Sequence, residues 1–139
     1  MVCGEAGGAV MMRALADLHI KRVFDPPEVT DGARVLVDRL WPRGLRKEDA
    51  ALSVWLKEVA PSTALRQWFD HDPARWVEFE RRYREELRQN EAPTASLEKL
   101  LKQGRVTLLY AARDTRHNHA LVLESYLRDR VRGDHGHTA

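Results

Sequence analysis

A single cysteine, Cys3, stands in the 139-residue chain, which excludes an internal disulfide and a cysteine-rich zinc cluster and suits a reducing compartment. No run approaches the roughly 18 apolar residues of a membrane-spanning helix. The short stretch from Ala9 to Met12 follows Glu5 rather than a basic segment, so neither a span nor a secretion signal is read and a cytoplasmic location is expected. An excess of charge of one sign is also missing. The 23 basic and 21 acidic residues leave a formal net charge of +2, which advertises neither a nucleic-acid nor a membrane partner.

The length suits one domain, since a single core serves about 100–200 residues. Residues 1–17 are Gly- and Ala-rich without a clear period and read as a flexible N-terminal extension, with Met11 or Met12 as an alternative start. Residues 133–139 read as a flexible tail in which His135 and His137 alone make a poor metal site. The domain is therefore placed at 18–132.

Leu18, Ile20, Val23 and Phe24 suit a first strand, stopped by Asp25-Pro26-Pro27. Arg34 to Asp38 has the β-branched, compact character of a buried strand, and Val106 to Tyr110 reads as another. Lys47 to Glu58 stays open between a helix and an edge strand at Ser53 to Leu56. Ser62 or Thr63 caps a short helix, and Asp72-Pro73 opens the clearest one, whose Trp76, Phe79, Tyr83 and Leu87 form one inward stripe. A helix closed by Gly104 and another from Thr115 to about Arg130, capped by Asp114, complete the pattern. Strands separated by helices predict a small α/β domain: a mainly parallel sheet of three or four strands with helices on both faces.

In such sheets ligands bind beyond the carboxyl ends of the strands. Two strands end in polar runs, Asp38 to Gly44 and Ala111 to His119, and parallel strands would open both on one edge. Arg39 and Arg43 offer guanidinium forks for an anion, with Asn118 and Lys57 as further ligand-binding candidates. His117, Asp38 and Asp114 are the candidates for acid–base catalysis. The competing reading has the arginines paired internally with the aspartates as loop ties. A metal is not expected, because His117 and His119 at i and i+2 on a helix point apart. Cys3 lies in the loose N-terminus and Ser62 is explained as a cap, so a nucleophile finds little support; His71 reads as loop structure.

The residues also carry a resemblance. Val37-Asp38-Arg39-Leu40-Trp41-Pro42-Arg43-Gly44, Trp55-Leu56-Lys57 with Ala60-Pro61-Ser62, Trp68-Phe69-Asp70-His71-Asp72-Pro73, and Thr107 to Ala112 leading to His117-Asn118-His119-Ala120 resemble the DUF488 family in its YeaO-like branch. The match runs from about Ile20 to Leu127, and Arg113 departs from the Lys or small residue usual there. The resemblance implies a compact α/β domain and marks the Asp38–Gly44 and His117–Ala120 pieces as signature segments; it carries over no activity and no cofactor. Three functional readings follow: an enzyme acting on a small anionic, phosphorylated or similar, substrate; a module that binds such a ligand without chemistry; and a scaffold whose Trp-rich loops dock a protein. A histidine in a concave pocket favours the first, an arginine patch the second, and an extensive apolar patch around Trp41 and Trp55 the third.

Overall fold

The computed structural model describes the backbone of residues 15–136 and the side chains of residues 15–130. Within that range four strands, β1 (Leu18–Arg22), β2 (Ala33–Leu36), β3 (Val54–Trp55) and β4 (Val106–Tyr110), form one sheet in the order β1-β4-β2-β3. Every pairing is parallel, so all four carboxyl ends share an edge. β4 lies between β1 and β2 and is buried along its whole length, which explains why its sequence is an uninterrupted apolar run apart from Thr107. The Thr107 hydroxyl is satisfied by the Asp31 carbonyl at 2.7 Å.

Among the described residues the patterning gives the α-helices α1 (Lys47–Ala50), α2 (Thr63–Phe69), α3 (Trp76–Gln89), α4 (Ala92–Gln103) and α5 (His119–Gly136). The alternation of β2 and β4 sends Val35 and Leu108 into one core with Leu65, Phe79, Tyr83 and Leu123 of the longer helices. Leu36 and Leu109 point the other way into a smaller core closed by Leu45 and Ala50. Helices thus lie on both faces, and among the described residues α1 is the helix that contributes to the second core, through Ala50. None of the helices among the described residues is long and apolar enough to cross a membrane.

The open segment Lys47 to Glu58 contains both alternatives, a four-residue helix and then the two-residue edge strand β3. Ser62 caps α2 by accepting from the Leu65 N–H, and Asp72 caps the turn before α3 by accepting from Ala74. In the aromatic stripe Phe79, Tyr83 and Leu87 are buried, whereas Trp76 is only partly so and sets its ring edge-on to His117, centroids 5.4 Å apart. α5 begins at His119, four residues later than the sequence suggests, because Asn118 takes the cap: its Oδ1 accepts from the Leu121 N–H at 3.1 Å. Asp114 instead closes a turn by accepting from the N–H groups of Arg116 and His117.

Residues 1–14 of the expected extension and 137–139 of the expected tail lie outside the described residues. Leu15 already belongs to the core, its carbonyl accepting from Arg128, and α5 continues through residues 133–136.

Candidate functional site

The parallel sheet brings the segments after β2, β3 and β4 to one edge, where they and the end of α2 enclose a cleft of about 750 Å3. Asp38, Arg39, Asp114, His117 and Asn118 line it. Arg43 is exposed and does not line the cleft. Lys57 also lies outside the cleft, its ammonium 5.2 Å from the centre of the Trp55 ring.

Asp114 and His117 form a tight local pair. Asp114 Oδ1 holds the Arg116 and His117 N–H groups at 2.8 and 3.0 Å, and Oδ2 meets His117 Nδ1 at 2.9 Å. The Arg116 N–H and then the His117 ring hold this carboxyl below the usual carboxylate range. An ionised carboxylate only accepts, so Nδ1 carries the proton and Nε2 of a neutral ring keeps a free lone pair. Nε2 has no hydrogen-bond partner among the described residues.

Asp38 and His119 make a second, deeper pair with a different geometry. His119 Nε2 is 3.0 Å from the Val37 carbonyl, which can only accept, so this nitrogen is protonated. Asp38 Oδ1 lies 3.1 Å from the same nitrogen but off the line of its N–H, so the contact is electrostatic and Oδ1 is left without a hydrogen bond. Asp38 Oδ2 accepts from the Ala111 N–H at 3.2 Å, joining the loops after β2 and β4. His117 and His119 therefore serve different carboxylates on different sides of the Asn118 cap.

The arginines divide by role. Arg39 donates from Nε to the Pro61 carbonyl and from Nη2 to that of Ala60, at 3.0 and 2.9 Å, so its fork ties the β2 loop to the β3 loop. Arg66, which sequence reasoning passed over, lines the cleft with no hydrogen bond or ion pair from its guanidinium among the described residues; its Nε is sealed from solvent and unsatisfied. The available signal was its spacing. Arg66 stands three residues before Phe69, so the two share a helix face at the carboxyl edge. Arg113 adds a second guanidinium, this one exposed, and His71 follows Asp70 in two successive left-handed backbone positions, φ 54° and 48°.

Around these polar groups the wall is apolar: Leu40, Trp41, Pro42, Phe69 and Phe79 all face the cleft. Trp41 and Trp55 are only partly exposed, and both indole N–H groups are used internally, by the carbonyls of Leu45 and Asp38. No group of three or more metal-ligating side chains is assembled among the described residues.

A parallel α/β domain with a ligand-sized cleft beyond the carboxyl ends of its strands is the class that fold and site define. The chain belongs to the DUF488 family: the family model described as "Inactive DUF488-N3 subclade" matches residues 17–139. It is 47% identical over 112 residues to "Uncharacterized protein YeaO" of Escherichia coli K12, covering 81% of this chain and 97% of that one. It is 44% identical over 113 residues to "Uncharacterized protein Rv3073c" of Mycobacterium tuberculosis H37Rv, covering 81% and 95%. No solved structure matches the chain significantly.

Proposed function

We propose that this protein is a binding module that holds a small anionic ligand in the cleft at the carboxyl edge of its sheet. One observation carries the reading: the Arg66 guanidinium lines a concave, largely apolar cleft with no protein partner among the described residues. An unpaired cation in such surroundings is costly, and an oxyanion from solution is the partner that compensates it. The description of the family model as an inactive subclade agrees with recognition without turnover.

Arg39, expected from the sequence to hold the ligand, then acts indirectly by fixing the loop that carries Leu40 and Trp41. The test is a thermal-shift screen of the wild-type chain and Arg66→Gln against phosphates, carboxylates and nucleotides. A ligand at about 100 times its dissociation constant adds roughly 2.7 kcal/mol of stability. A wild-type shift that Arg66→Gln loses supports the module; equal shifts in both proteins, or none, sink it.

The Asp114–His117 pair favours a second reading, an enzyme in which His117 Nε2 moves a proton on an anionic substrate held by Arg66. His117→Gln separates the two once a ligand is known. Binding kept with turnover lost identifies catalysis; binding kept with no turnover in either protein identifies the module.

A further inference from the structure

We infer that the cleft selects an amphipathic organic oxyanion, its charged head at Arg66 and an apolar, ring-sized body against Leu40, Trp41 and Phe69. The inference rests on the anion-binding reading and goes beyond it by naming the ligand class. Three observations lead there. The first is size: about 750 Å3 is far more room than an inorganic phosphate or acetate fills, and falls in the range of sites for organic molecules.

The second is where the polar groups are spent. The Asp114 carboxylate is taken by two backbone N–H groups and His117, Asn118 by its own helix end, Arg39 by two carbonyls, and the Trp41 N–H by the Leu45 carbonyl. Asp38 Oδ1 and His117 Nε2 stay unspent, but the wall of Leu40, Trp41, Pro42 and Phe69 presents side chains with no free hydrogen-bonding group, so the body of a ligand laid on it is apolar. The third is Leu40, which is 61% exposed although it sits at the cleft rim between Arg39 and Trp41. A lone exposed leucine is ordinary on a surface; beside a concave apolar wall it extends that wall.

Arg66 and Phe69 lie one helical turn apart on α2, so a head group on the guanidinium brings the body attached to it over the aromatic wall. Arg113 stands at the rim to add charge for a doubly ionised head.

Calorimetric or NMR titration of the full chain with four probes tests this: inorganic phosphate, phenyl phosphate, benzoate and phenol. Phenyl phosphate should bind at least about tenfold more tightly than inorganic phosphate, the effect of burying part of one ring. It should also bind more tightly than phenol. Arg66→Gln should abolish the advantage over phenol, and Leu40→Ser, at an exposed position, should shrink the advantage over phosphate. Benzoate against phenyl phosphate reports which head group is preferred.

Equal affinity for phosphate and phenyl phosphate, both lost in Arg66→Gln, overturns the amphipathic ligand and leaves the anion site standing. Equal affinity for phenol and phenyl phosphate, unmoved by Arg66→Gln, overturns the anion site and this inference with it. No binding of any probe overturns both.

Discussion

His117 Nδ1 lies 2.9 Å from Asp114 Oδ2, and that carboxylate also holds the His117 backbone N–H, so one aspartate fixes both the ring and the chain that carries it. The pairing is local, within one turn, and does not depend on the sheet for its geometry. It has a pH signature. Because the Asp114 pKa is lowered in the folded protein, its stabilising contribution is complete above the ordinary carboxylate range and disappears as pH falls through the lowered value. The thermal midpoint of Asp114→Asn should therefore lie below that of the wild type near neutrality and converge with it in acid; a gap that is independent of pH would mean the charge is irrelevant.

A buried ionic cluster braces the opposite edge of the sheet. Asp31 Oδ2 meets Arg34 Nη1 and, at 3.1 Å, Lys21 Nζ, with the Asp31 and Arg34 side chains 8% and 5% exposed. Burial alone would raise the Asp31 pKa, but the Glu28 N–H, Lys21 and Arg34 outweigh it and hold it low. Asp31→Ala should cost about 3–5 kcal/mol in denaturant unfolding, since it strands buried positive charge; a loss below about 1 kcal/mol would place the pair among exposed bridges instead.

Gly32 follows that aspartate at φ 67°, and a Cβ there would run into the Arg105 carbonyl oxygen. The same oxygen accepts from the Ala33 N–H, so it cannot move away without opening the start of β2. Gly32→Ala should destabilise by about 2 kcal/mol or more through strain and clash together. An equilibrium stability within about 0.5 kcal/mol of wild type would show that this turn adapts.

Arg39 and Arg43, four residues apart, should behave oppositely. Arg39→Ala removes two charge-assisted hydrogen bonds and should cost about 1.5–3 kcal/mol. Arg43→Ala, at an exposed residue away from the cleft, should stay within about 0.5 kcal/mol and leave probe affinities unchanged. Reduced affinity in Arg43→Ala without a change in stability would restore it to the site.

Much of this arrangement is legible in the linear chain. Periodicity locates β2, β4 and the buried stripe of α3, and parallel topology then requires Asp38 and Asp114 to share an edge. What escaped is tertiary. Whether Arg39 or Arg66 is free depends on which carbonyls the β3 loop delivers, and nothing in Ala60-Pro61 says that it will face Arg39 rather than water. The start of α5 is ambiguous in the sequence because Asp114 and Asn118 are both good caps four residues apart; Asp114 is used by its own turn, leaving the helix to Asn118. Lys57 is a flexible cation whose direction a neighbouring ring decides.

The central position of β4 bears on how the chain is made. Its partners β1 and β2 leave the ribosome long before it does, and only the two-residue β3 can pair with β2 in the interval. The sheet, and with it the cleft, cannot close until residues 106–110 thread between strands already synthesised. Such late, non-local pairing slows folding and leaves apolar edges open meanwhile. The cleft is therefore completed last, and under the binding reading proposed above a bound ligand would distinguish a finished molecule from one still waiting for its middle strand.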